Sequence, residues 1–231
     1  AALSERYCCY FLDSPGYGES ADPPSPFSYS AAIAAFIESQ IGERVAMIGS
    51  SYGGGIGFET ALVAPQLAGP LVLVDSIIEM EGEPSTELKA IWTEADAAWE
   101  RGDKDGAVER ETEGWVDGHG RPEGKADAVV RAYFTRANRA VWERDEARQK
   151  PEMLEGPEHD FALIPQPVLL IDGPYDVAEA LESNRLLRQR LPNAEYVSIP
   201  GTAHFPSYER PDEFNRIVLK FLDRTWGSEN T

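Results

Sequence analysis

The chain has 231 residues, with 40 acidic against 21 basic side chains and a formal net charge of −19. So large a negative excess opposes binding to nucleic acid or to an anionic membrane surface. Its 42% hydrophobic residues suit one compact domain with an insertion, and no window approaches the roughly 18 apolar residues of a membrane span.

In chain order, residues 6–12 read as a first strand. The adjacent Cys8 and Cys9 would point to opposite faces of that strand, where a bridge between them is strained. They are expected as small buried hydrophobes in a reducing compartment, which suggests the cytoplasm. Ser28 can cap a helix whose apolar residues Tyr29, Ile33, Phe36 and Ile37 share one face. Residues 44–48 read as a strand, residues 51–64 as a helix and residues 71–74 as the next strand. Gly54, Gly55 and Gly57 weaken that helix and are expected to let its backbone pack close to a sheet.

The rhythm changes after Ile77. Three helical segments, residues 85–101, 103–116 and 125–148, follow without a strand between them. Much of the acidic charge lies there and reads as a solvated helical face. Strand, helix and strand then return at residues 168–171, 179–190 and 195–199. A last helix opens near Pro211, with Phe214, Ile217, Val218, Phe221 and Leu222 along one stripe. The pattern is α/β, a mostly parallel doubly wound sheet. It divides into a core of residues 1–76 and 160–231 and a helical lid of residues 77–159 inserted between two core strands.

The chemistry concentrates at Gly49-Ser50-Ser51-Tyr52-Gly53. A Gly-x-Ser-x-Gly turn between a buried strand and a helix holds a serine hydroxyl above the sheet and strains its backbone. Side chains at Gly49 or Gly53 are expected to collide with the neighbouring strand or helix. The same turn could open a nucleotide-binding loop, but no Lys follows it and the glycine spacing is wrong. Ser51 is therefore the candidate nucleophile, and Ser50 packs beside the elbow. Asp176 follows the strand at 168–171, and His204 follows the strand at 195–199. Both sit where parallel sheets gather functional groups, in the order Ser, Asp, His. His204 is the expected general base and acid, and Asp176 the residue that orients it. Asp172 and Asp75 are the rival acids; His119 and His159 match no motif position.

These residues carry a resemblance to the α/β-hydrolase superfamily from Tyr7 almost to the end. Asp13-Ser14-Pro15-Gly16-Tyr17-Gly18-Glu19-Ser20 resembles its Asp-x-x-Gly-x-Gly-x-Ser turn. Gly201-Thr202-Ala203-His204-Phe205-Pro206, followed by Glu209-Arg210-Pro211, resembles its histidine loop and final helix. The nearest likeness is to small bacterial esterases and lactonases near the 3-oxoadipate enol-lactonase group.

The resemblance implies a serine hydrolase for a small carboxylic ester or lactone, with no cofactor and no metal. The Tyr52 N–H would serve the oxyanion, and Trp115, in the lid, would face an acyl group or pack within the lid. It leaves open carbon–carbon bond hydrolysis, cofactor-free perhydrolysis and a non-catalytic ligand-binding shell. The superfamily's earlier strands and His-Gly oxyanion loop have no counterpart here. Two expectations follow: either the chain is a piece of a longer product, or residues 6–12 pair directly beside the Ser51 strand. A missing second oxyanion donor implies weak turnover by the chain alone.

Overall fold

A computed structural model of the protein describes residues 2–122, 124–147 and 150–226. Among these, four parallel strands form one sheet in chain order: β1 (Val45–Ser50), β2 (Ala68–Val74), β3 (Val168–Asp172) and β4 (Ala194–Ser198). Every residue of β2 and β3 is buried, as central parallel strands covered on both faces require. β1 and β4 are the edges, so their side chains are only partly covered.

The period of two along each strand divides the core. Leu71, Leu73, Val168 and Leu170 face Phe58 and Ala61 of α2 (Tyr52–Val63) and Leu187 of α6 (Ala178–Arg190). Val72, Val74, Leu169 and Ile171 face the other way, onto Phe214, Val218, Phe221 and Leu222 of α8 (Pro211–Thr225). That stripe on α8 is the one its sequence spacing predicts. α1 (Tyr29–Phe36) begins at Ser28, whose side chain accepts from the Ala31 N–H.

Between β2 and β3 run α3 (Thr86–Glu100), α4 (Lys104–Glu111) and α5 (Ala128–Ala147). Ser85 and Asp103 cap the first two. α4 widens into a π-helical turn, Thr112–Asp117, where a single continuous helix was expected. The expected end of the third segment, Arg148, lies outside the described residues. Arg131 of α5 ties this layer together by ion pairs to Asp117 and Glu109.

Residues 6–12 are not a strand. The chain turns at Leu3–Tyr7, and Arg6 and Tyr7 are held by Asp223 of α8 rather than by a ladder partner. Tyr10, Phe11 and Leu12 are exposed, and β1 pairs only with β2 among the described residues. The cysteines differ from expectation for the same reason. Cys8 is exposed and Cys9 partly so, because no sheet face covers them, and both are free thiols.

Candidate active site

Ser51 stands between β1 and α2 with φ 52° and ψ −122°, a conformation non-glycine residues rarely adopt. Its N–H donates to the Val74 carbonyl at 2.8 Å, and its carbonyl accepts from the Gly54 N–H at 3.0 Å. The bend is held from both sides. A Cβ at Gly49 would overlap the Gly53 carbonyl, so only glycine allows the strand and helix to meet so closely. Gly53 does not share this constraint, because a Cβ there would meet nothing within 4 Å; Gly55 and Gly57 are similarly unconfined, and Gly54 alone of the helix glycines is packed, against Ser76.

The Ser51 hydroxyl is partly exposed, and the Tyr52 N–H is one of the unpaired donors that open a helix. Tyr52 turns its ring outward, edge-on to Tyr29. Ser50 Oγ is buried beside the bend without a hydrogen-bond partner.

His204 and Asp176 come together across 28 residues of sequence: Nδ1 lies 2.7 Å from Oδ2, and each residue is only 3% exposed. Asp176 ends the turn that follows β3, where its N–H donates to the Gly173 carbonyl. Its second oxygen accepts from the Val177 N–H at 2.7 Å. A carboxylate on Nδ1 favours the tautomer that carries its proton there, which leaves the Nε2 lone pair open. A Cβ at Gly173 would overlap the Ala203 carbonyl, so glycine lets the acid and histidine turns lie backbone to backbone. No hydrogen bond joins the Ser51 hydroxyl to the imidazole among the described residues.

Trp115 lies over His204 with ring centroids 4.7 Å apart, and its carbonyl accepts from the His204 N–H at 3.2 Å. It packs on Leu88, Ile91, Val177 and Ala180, so it joins the inserted helices to the segment that follows Asp176. Phe205 stands edge-on to the imidazole at 5.0 Å and in turn meets Phe134 of α5. The rival acids fall elsewhere. Asp172 points toward Asn184. Asp75 accepts from the Gly173 N–H, and it is Asp176 that meets the imidazole. His119 pairs with Glu87, and His159 packs edge-on to Phe58.

Sequence reasoning misses Arg121 and the role of Glu209. Arg121 donates to the carbonyls of Val116, Asp117 and Gly201 and to Glu209, whose other oxygen accepts from the Ala203 N–H. Glu209 belongs to the quoted Glu-Arg-Pro motif; no pattern singles out Arg121. Among the described residues no group of three or more His, Cys, Asp or Glu is placed to hold a metal, and no helix is long and apolar enough to cross a membrane.

Comparison with known proteins agrees with this architecture. The model of the alpha/beta hydrolase family matches residues 1–217. An uncharacterized protein of Mycobacterium tuberculosis strain H37Rv is 25% identical over 248 residues, covering 99% of this chain and 71% of the relative. Among solved structures, an esterase from Rhodococcus sp. ECU1013 is similar with TM-score 0.72 and 20% identity, over 92% of this chain and 79% of that one. An N-acyl homoserine lactone degrading enzyme is similar with TM-score 0.66 and 23% identity, over 90% and 80%.

Proposed function

The chain belongs to the alpha/beta hydrolase family, and from that premise we propose that it is a serine hydrolase acting on a small carboxylic ester or lactone. The observation that carries this reading is the buried His204–Asp176 pair at 2.7 Å, on the same end of the sheet as the strained Ser51 bend. A buried carboxylate on Nδ1 serves little purpose for packing, but it makes Nε2 a competent base.

In this mechanism Ser51 Oγ attacks the carbonyl carbon as His204 Nε2 takes its proton. The Tyr52 N–H supports the developing oxyanion. The imidazolium then protonates the leaving alkoxide, and an acyl-enzyme remains. Water, deprotonated by His204, releases the acid and frees Ser51. Asp176 holds the tautomer and balances the imidazolium charge. Trp115 lines the acyl side of the imidazole, and residues 77–159 act as a lid on a core made of residues 1–76 and 160–231. The reaction uses no cofactor, and lactones related to the 3-oxoadipate enol-lactone are the first substrates to try. The free thiols of Cys8 and Cys9 fit a reducing, cytoplasmic setting.

The deciding experiment is covalent labelling with a fluorophosphonate, alongside hydrolysis of p-nitrophenyl esters. Labelling that vanishes in Ser51→Ala supports the nucleophile; labelling that survives the substitution overturns it. A second reading, a ligand-binding shell without turnover, draws on the absence of a Ser51–His204 hydrogen bond. Catalytic hydrogen bonds often tighten only around substrate, so hydrolysis outranks binding. Thermal stabilisation by a lactone that is never hydrolysed would reverse that order.

A further inference from the structure

Behind the His204–Asp176 pair lies a second carboxyl group that the mechanism does not use. Asp75 follows β2 directly and is fully buried. It adopts φ +46°, and Ser51 and Asp75 are the non-glycine residues with positive φ among those described. That left-handed backbone is uncommon for a non-glycine residue, although aspartate visits it more readily than most.

The contacts show what the conformation achieves. Oδ1 of Asp75 accepts from the Gly173 N–H at 3.2 Å, at the start of the turn that ends in Asp176. Oδ2 is buried and has no donor facing it. The Gly173 bond sets Asp75 against the turn that carries Asp176, and the Asp176 carboxyl is the neighbouring side chain that acts on it most strongly. The charged groups facing Asp75 are thus Asp176 in the turn and Asp172 at the end of β3, both acids, with His204 beyond Asp176. Two carboxylates in contact in a dry site do not both stay ionised, and a single proton between them removes the repulsion and the orphaned oxygen together.

The donors decide which one keeps the proton. Asp176 receives the Val177 N–H at 2.7 Å and the imidazole at 2.7 Å. Asp75 receives one longer bond from Gly173. Asp176 has the more numerous and shorter donors, which favours leaving the proton on Asp75.

We propose that Asp75 is a positioning residue for the acid–imidazole pair, a protonated carboxyl that donates from Oδ2 to Asp176. One negative charge is then spread over two carboxyl groups behind His204. The catalytic consequence rests on the hydrolase reading above; the protonated pair itself does not. Burial beside Asp176 and Asp172 raises the Asp75 carboxyl well above the usual carboxylate range, which agrees with this assignment.

If Asp75 lost its donor, the whole charge would fall on Asp176 and hold the imidazolium more tightly. Asp75→Leu should therefore raise the His204 titration midpoint by about one pH unit. Asp75→Asn, whose amide still donates, should restore it. The test is nuclear magnetic resonance on the full chain, labelled at the aspartate carboxyl carbon and the histidine rings. Near neutral pH the native protein should show one protonated aspartate carboxyl, absent from Asp75→Asn. His204 is assigned by its loss in His204→Gln.

Finding every aspartate ionised near neutral pH overturns the inference, and does so on native protein alone if the variants fail to fold. An unshifted His204 midpoint in a folded Asp75→Leu overturns the positioning role. Neither readout needs turnover. An inactive chain with the protonated carboxyl present defeats the hydrolase reading only, whereas an active chain without it defeats this inference only.

Discussion

Arg121 and Glu209 form an ion pair at 2.6 Å in which both side chains are nearly closed to solvent, 6% and 5% exposed. The pair stitches the inserted helical layer to the loop that carries His204. Arg121 holds the Val116 and Asp117 carbonyls on one side and the Gly201 carbonyl on the other, while Glu209 holds the Ala203 N–H beside His204. Removing one partner of such a pair leaves a buried charge uncompensated. Arg121→Met should cost about 3–5 kcal/mol of stability in urea unfolding. The double variant Arg121→Met, Glu209→Gln should lose less than the sum of the single losses, because Gln still accepts from Ala203 and no charge is stranded.

The two glycines of the elbow motif should respond in opposite directions. Gly49→Ala places a methyl group on the Gly53 carbonyl, in backbone that cannot yield without breaking the bend. The variant should be strongly destabilised or fail to fold. Gly53 is exposed, in α2, with open space where a Cβ would stand. Gly53→Ala should be neutral or gain up to about 1 kcal/mol from helix propensity. Urea midpoints of the two variants check both.

This contrast also shows what sequence reasoning can reach. The positions of Ser51, Asp176 and His204 after strands were legible because turns leave local signatures at Gly49, Gly173 and Gly201. The core stripe of α8 was legible through its period. Residues 6–12 misled because their composition suits a strand, whereas a strand exists only where a partner's backbone is available, and here Asp223 captures Arg6 and Tyr7 instead. Glycine spacing likewise suggested crowding at Gly53, which depends on what packs above the helix. Asp75, Arg121 and the tilted contact of Trp115 with His204 are long-range facts. Nothing within a few residues of each encodes its partner.

Stability should vary with pH through Asp75. Its folded carboxyl holds its proton to higher pH than an unfolded aspartate, because burial and the neighbouring acids disfavour charge. As pH rises past the unfolded value of about 4, the unfolded chain sheds this proton and the folded chain keeps it. The unfolded state then binds fewer protons, so this group's contribution falls with rising pH, by about 1.4 kcal/mol per unit until the folded value is passed. Asp75→Asn lacks this slope. Its stability relative to the native chain should climb with pH across that window, measured by urea unfolding at a series of pH values. A constant offset between the two proteins would show that Asp75 does not titrate on unfolding.

The acid opposite His204 offers the sharpest test of the proposed chemistry. Asp176→Asn keeps nearly the same shape and can still accept from the Val177 N–H. It offers the imidazole no negative charge, however, and its amide can donate to Nδ1, which reverses the tautomer and puts the proton on Nε2. In serine hydrolases of another fold that change lowers kcat by about 10⁴-fold with the structure intact. Here the neighbouring Asp75 should soften the loss. With Asp176 neutral, its repulsion of Asp75 is gone while burial and Asp172 still oppose charge. Asp75 therefore ionises at lower pH than before, and its carboxylate can then supply charge behind the amide. Asp176→Asn with Asp75 intact should therefore retain more p-nitrophenyl esterase activity than Asp176→Asn combined with Asp75→Asn, and its residual activity should rise with pH as Asp75 ionises. Equal rates and equal pH profiles in the two variants would show that the second acid contributes nothing to the imidazole.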